Sequence, residues 1–401
     1  MGLLSQGSPL NWEETKKYAD HVRKHGIVQF LNIYNKVKER QKDVLLWGDE
    51  VEYMLIDMDE KNEKVRLVLN GEEVLETLQD KGEKTNPNHP TLWRPEYGSY
   101  MIEGTPGQPY GGTMSEFNTV EDNMGKRRRE ASSVLNKNET LATITSFPRL
   151  GCPGFTQPEY NPTPVEKGVS KSLFFPDEAI NRHPRFSTLT RNIRHRRGEK
   201  VVINVPIFKD KCTPSPFVEK FPEDDGEAAR AALPDHIYMD AMGFGMGNCC
   251  LQVTFQACSI EEARWPSVLL RRSTEAMCQT LIVAGELFLP RWMTGPGKRE
   301  GLELLDAGID KLLAQHIAHL FIRDPLSLFE EKIHLDDEKE SDHFENLQST
   351  NWQTMRFKPP PPNSDIGWRV EFRPMEVQLT DFENSGLRCF HRPAHQGYTV
   401  L

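Results

Sequence analysis

Apolar positions along the chain recur with two periods. Near the N-terminus Asn11 is followed three places later by Glu14, a cap residue and its reciprocal glutamate, which marks a helix start. Val28, Leu31, Tyr34 and Val37 then recur at helical spacing through residues 27–40. Gly48 breaks that pattern. Residues 49–57 alternate as a strand does, and 65–69 read as a hairpin partner across a polar turn. Residues 81–90 read as loop and 115–138 as a helix with a charged outer face. The proline-rich 153–164 predicts an extended surface segment, and 200–208 a strand of the buried type. A polar loop over 209–234 leads to an alternating strand at 249–257. Residues 309–321 predict a helix stopped near Asp324-Pro325. Pro359–Pro362 form a short polyproline linker, and 367–379 is the last strand-like segment. Helices and strands intermix without a βαβ period or internal repeat. The expectation is an α+β fold with a largely antiparallel sheet.

Composition narrows the classes without naming one. The 401 residues carry 49 Lys and Arg against 59 Asp and Glu, a formal net charge of −10. With 37% apolar and 27% charged residues this is a globular composition, which excludes collagen, coiled coil and wholesale disorder. The acidic balance argues against nucleic acid as a partner. No basic and apolar leader precedes Pro9, and no apolar run reaches 18 residues, so neither a secretory signal nor a membrane span is expected. The seven cysteines show no C-x-x-C spacing and suggest reduced thiols in a cytoplasmic protein.

The chemistry lies in where polar residues fall within the strands. Residues two apart share a strand face. Glu50 and Glu52 project together; Arg369, Glu371 and Arg373 share a face; Cys250, Gln252, Thr254 and Gln256 share another. Glu96 and Glu103 lie among glycines and aromatics. For a single strand an ordinary wet face is the simpler explanation. Closely spaced glutamates, however, repel unless a cation or arginine sits between them. Carboxylates beside arginines suit Mg²⁺ with phosphate, because hard oxygens hold the metal and guanidinium forks clamp phosphate. The residues therefore point to a metal–nucleotide site on a sheet face.

Other features weigh less. Gly243-Phe-Gly-Met-Gly247 precedes a strand and fits neither the P-loop nor the Rossmann pattern; it reads as a turn, plain or approaching a ligand. Lys126–Arg129 reads as a solvated helix face, and 191–197 as a basic run able to reach phosphate or a protein. His316 and His319 read as packing or surface histidines.

At four strings the chain resembles the eukaryotic glutamate–cysteine ligase family, on its catalytic-subunit side. They are Trp47-Gly-Asp-Glu-Val-Glu-Tyr-Met, residues 91–107 around Trp93-Arg-Pro-Glu-Tyr-Gly, residues 239–256 around Gly247-Asn-Cys-Cys-Leu-Gln, and Trp368-Arg-Val-Glu-Phe-Arg-Pro-Met-Glu. The resemblance implies a single catalytic domain over 1–401, built like glutamine synthetase, with a curved, mostly antiparallel sheet forming an acidic funnel flanked by helices. It implies ATP-dependent joining of the glutamate γ-carboxylate to the amine of cysteine through a γ-glutamyl phosphate, the first step of glutathione synthesis. It further implies Mg²⁺ held by Glu50, Glu52, Glu96, Glu103 and Glu371, and Arg373 on the ATP phosphates. Cys250 and Gln252 would lie near bound glutamate, Trp352 would help form the cysteine pocket, and a modifier subunit would be the partner. Residues 265–307 and the tail 386–401 do not match. The family's substrate-gripping arginine string is absent from that region, which suggests a spliced or frame-shifted variant. The alternative is an impaired isoform that only binds the modifier subunit.

Overall fold

The computed structural model describes residues 4–162, 164, 168–264, 297–362 and 364–391, with side chains to Gly386. Asn11 caps the first helix, Trp12–Val37: its side chain accepts from Glu14 N at 3.0 Å while Glu14 accepts from Asn11 N at 2.9 Å. The alternating segments become strands of one nine-stranded sheet: β1 (Leu46–Asp59), β2 (Lys64–Val68), β3 (Thr91–Pro95), β4 (Met101–Pro106), β5 (Glu139–Ala142), β6 (Thr156–Gln157), β9 (Cys250–Gln256), β10 (Met355–Lys358) and β11 (Arg369–Glu376). Two further strands, β7 (Ile203–Pro206) and β8 (His236–Met239), form a separate antiparallel ribbon. The main path runs β10-β11-β9-β1-β2-β6. All its pairings are antiparallel except β2 with β6, so the architecture is α+β with an open, mostly antiparallel sheet.

Strand β1 organises the sheet. It pairs with β9, β4, β5 and β2 along successive parts of its length. From Val51 to Ile56 every residue is buried, because helices and strands cover both faces there. The core gathers Trp47, Tyr53, Leu55, Trp93, Tyr100, Leu251, Val253 and Trp368. Helix Trp12–Val37 packs on helix Asp342–Ser349 where Gly26 lets backbones approach: a Cβ there would meet Leu347 and the Phe344 backbone at 3.3 Å. Phe30 and Phe344 close that seam, with ring centroids 5.0 Å apart.

Three expectations change. The segment 200–208 is not a buried strand. Its strand β7 pairs only with β8, away from the main sheet, and leaves Val202 and Val205 exposed. The helix expected over 115–138 is two, Met114–Phe117 and Thr119–Ser132, followed by a turn. The basic run Lys126–Arg129 is not wholly solvated. Arg127 is fully buried and pairs with buried Asp49 at 2.5 Å, while Arg128 pairs with Asp381 at 2.7 Å. Helical spacing turns every third or fourth member of such a run inward.

Candidate active site

Antiparallel register sets the polar residues opposite one another. Glu50 lies across from Gln252, Glu371 across from Thr254, Glu52 across from Glu103, and Arg356 across from Glu371. Cross-strand partners have their Cβ atoms about 5 Å apart, so five strands deliver one continuous patch. Glu96 joins it from the turn that follows β3.

One end of the patch is a carboxylate trio. A carboxylate oxygen from each of Glu52, Glu96 and Glu103 lies within 4.8 Å of the others. Burial, then the charge of Glu103, pushes Glu52 up to about 7. Burial, then the charge of Glu52, does the same to Glu96. Burial likewise raises Glu103 well above the carboxylate range. Glu52 is held on its strand side by Cys250 N at 2.9 Å, Cys250 Sγ at 3.1 Å and Gln252 Nε2 at 3.2 Å. Burial and the neighbouring Glu52 charge push the Cys250 thiol far up, so it is a donor to Glu52 and not a thiolate nucleophile.

The other end is rich in cations. Glu371, fully buried, accepts from Arg373 Nη1 at 2.6 Å and Thr254 Oγ1 at 3.4 Å, contacts Lys358 Nζ, and lies 3.6 Å from Arg356 Nη1. Burial alone would raise this carboxyl, but Lys358, Arg356 and Arg373 hold it well below the ordinary range. Lys358 Nζ also reaches Glu50 at 4.0 Å. The patch thus combines a trio driven toward protonation with two carboxylates, Glu371 and Glu50, favoured as anions.

The donor set fits a divalent metal. All candidate ligands offer hard oxygens, and Gln252 Oε1 is buried with no hydrogen-bond partner. The oxygens of Glu52, Glu96 and Glu103 converge as one cradle, with Gln252 beside it donating to Glu52 at 3.2 Å. An ion would lower the trio's cost of keeping three charged carboxylates in a buried place.

Of the residues expected from the sequence, Glu50, Glu52, Glu96, Glu103, Cys250, Gln252, Glu371 and Arg373 come together on this face. Trp352 is half-exposed, in the loop between helix Asp342–Ser349 and β10. That loop reaches the site through its backbone, since Arg373 N donates to Thr354 O at 3.0 Å. Sequence reading missed Lys358 and Arg356. They alternate on β10, a four-residue strand whose signal is overshadowed by the prolines after it. It also missed Arg185 of helix Pro184–Arg197, which donates to Ser349 Oγ at 3.0 Å and is pushed down to about 10 by burial and Arg356. The glycine string at 243–247 is a one-turn helix whose Gly243 abuts the Phe175 ring and whose Gly247 abuts the Tyr100 hydroxyl. Close packing explains Gly243 and Gly247, while Gly245 has no neighbour within 4 Å of a Cβ.

A carboxylate- and arginine-lined face on an open antiparallel sheet defines a class of site suited to metal-assisted phosphate chemistry. The chain belongs to the glutamate–cysteine ligase family, whose sequence profile it matches over residues 1–268 and 298–392. It is 66% identical to the human glutamate–cysteine ligase catalytic subunit, with 97% of this chain and 70% of that protein covered. It is 41% identical to glutamate–cysteine ligase of Dictyostelium discoideum (97% and 73% covered) and 37% to that of Saccharomyces cerevisiae (96% and 71%). The alignment to the human protein spans 445 positions; 445 less 401 means that at least 44 of them are gaps in this chain. Residues 265–296 and 392–401 lie outside the described residues, so most of the two stretches expected not to match do as well. Among the described residues no helix is long and apolar enough to cross a membrane.

Proposed function

We propose that this chain catalyses ATP-dependent formation of γ-glutamylcysteine from L-glutamate and L-cysteine. The observation that carries this reading is the split patch: the carboxylate trio at one end and the arginine- and lysine-bound Glu371 at the other, on one sheet face of a family member. A carboxylate is a poor electrophile, so the γ-carboxylate of glutamate takes a phosphoryl group from ATP before the cysteine amine attacks and phosphate leaves. Divalent ions, held by Glu52, Glu96, Glu103 and Gln252 and by Glu50 and Glu371, would supply neutralisation of phosphate charge.

The chain's own residues have distinct tasks. Arg373, fixed by Glu371, points a guanidinium fork at the phosphates. Cys250 and Gln252 hold Glu52 in place and lie beside the glutamate. Trp352 gives an apolar wall for cysteine on the exposed side of the loop. No protein nucleophile is needed, in keeping with a Cys250 thiol kept protonated. The description of the mammalian relatives as a catalytic subunit supports a second, modifier subunit as partner.

The break in the family match between residues 268 and 298 supports reading the first part of 265–307 as a replaced stretch. The test is direct. Purified chain with ATP, Mg²⁺, glutamate and cysteine is expected to release phosphate and form γ-glutamylcysteine, both dependent on each substrate. Nucleotide binding without either product would establish the impaired isoform instead.

A further inference from the structure

Lys358 stands at the site without a task in the proposed reaction. It ends β10, just before the proline run 359–362, and its side chain is 18% exposed. Its ammonium contacts Glu371 Oε1 and lies 4.0 Å from Glu50 Oε1, so one charge serves two carboxylates on β11 and β1, the strands that flank β9. The two arginines take the other oxygen: Arg373 at 2.6 Å and Arg356 at 3.6 Å both approach Glu371 Oε2. Oε1 is thus left to Lys358 and to Thr254 Oγ1, which donates to it at 3.4 Å.

We propose that Lys358 is an exchangeable cation of the site: its ammonium and a divalent ion take turns between Glu50 and Glu371. This inference rests on the reading that those two carboxylates hold a metal. Space and charge support the exchange. A divalent ion bound at about 2.1 Å from Glu371 Oε1 would overlap the ammonium, which already contacts that oxygen. A divalent ion added to Arg356, Lys358 and Arg373 against two carboxylates would also leave positive charge uncompensated in a poorly hydrated corner. One cation must withdraw. The arginines are planar forks on the Oε2 side, whereas Lys358, as exposed as Arg373, is a compact charge on a flexible four-carbon stem. Its departure leaves it free to meet a phosphate, so loading of this pair couples to nucleotide, while the trio of Glu52, Glu96 and Glu103 loads without such an exchange.

The test uses the full chain and Mn²⁺ as probe, without nucleotide. Reductive methylation of lysines, read by mass spectrometry, is expected to label Lys358 several-fold faster at saturating Mn²⁺ than in metal-free protein. Equal or slower labelling at saturation overturns the exchange. In parallel, free Mn²⁺ is followed by electron paramagnetic resonance for Lys358→Met, Lys358→Gln and Lys358→Arg. The two neutral variants are expected to bind the weakest ion about tenfold more tightly than wild type, and Lys358→Arg no more tightly. Unchanged or weaker binding in both neutral variants refutes the proposal. The wild-type labelling decides the matter even where a neutral variant does not fold. Failure of the underlying reading looks different: wild type and Glu371→Gln would then bind the same number of Mn²⁺ ions.

Discussion

At the scale of single residues, the site shows how burial and neighbours assign opposite states to chemically identical groups. Glu52 and Glu371 both lie on central strands and are both buried. Glu52 faces Glu103 and is pushed up to about 7, whereas Glu371 faces three cations and is held down. The first is costly without a cation and the second is stable as it stands. Glu52→Gln removes one charge from the trio and its anchor to Cys250. Turnover is expected to fall by about 10²–10³, the usual cost of removing one charge stabiliser from a site. The melting temperature of the metal-free protein should hold or rise, because repulsion within the trio is relieved. Steady-state kinetics and calorimetry check the two halves, and a variant of wild-type turnover would remove Glu52 from the machinery.

At the scale of elements, the site depends on what lies behind the sheet. Asp49 sits on β1 between site residue Glu50 and Gly48, with its side chain on the opposite face. There it pairs with Arg127 of helix Thr119–Ser132, and both are fully buried. Arg127 also donates to Gly104 O at 2.7 Å, and Gly104 is the residue after Glu103. One guanidinium therefore ties together the two strands that carry Glu50, Glu52 and Glu103. Removing one partner of such a pair leaves a buried charge alone and costs about 3–5 kcal/mol. Arg127→Met is expected to lose about that much in denaturant unfolding. The double variant Asp49→Leu with Arg127→Met should recover part of it; a double variant as unstable as the single would show that the pair's electrostatics are not the cause.

At the scale of the whole molecule, helix Trp12–Val37 is joined to the later half of the chain through a histidine seam. His21 Nε2 lies 2.8 Å and His343 Nε2 3.1 Å from the same Ile333 carbonyl, and His25 Nδ1 contacts Asp337 at 2.5 Å. Helix Asp342–Ser349 runs from this seam to the Trp352 loop, β10 and the active face. Burial, then His21 and His25, pushes His343 down to about 4 from an ordinary 6.5. The unfolded chain takes up that proton near 6.5 and the folded one only near 4, so the folded state binds fewer protons in between. Stability from this group is complete above 6.5 and is lost as pH falls toward 4. The melting temperature should drop across that window, and less steeply in His343→Gln; identical slopes would assign the acid sensitivity elsewhere.

Local rules in the sequence determine a good deal of this protein. Spacing of two sets Glu50 with Glu52 and Cys250 with Gln252, and it makes β1, β9 and β11 strands with one loaded face. The cap at Asn11 starts the first helix. Such features depend on neighbours within a few residues, and the family strings carry the same information. Only the tertiary structure decides which strands pair and in what register. It sets Glu52 against Glu103, brings Lys358 between Glu50 and Glu371, and turns Arg127 from an apparent surface charge into the partner of Asp49. The physical reason is that charge and burial depend on distance in space. A carboxylate's state is set by groups 3–5 Å away, contributed here by strands up to some three hundred residues apart in the chain.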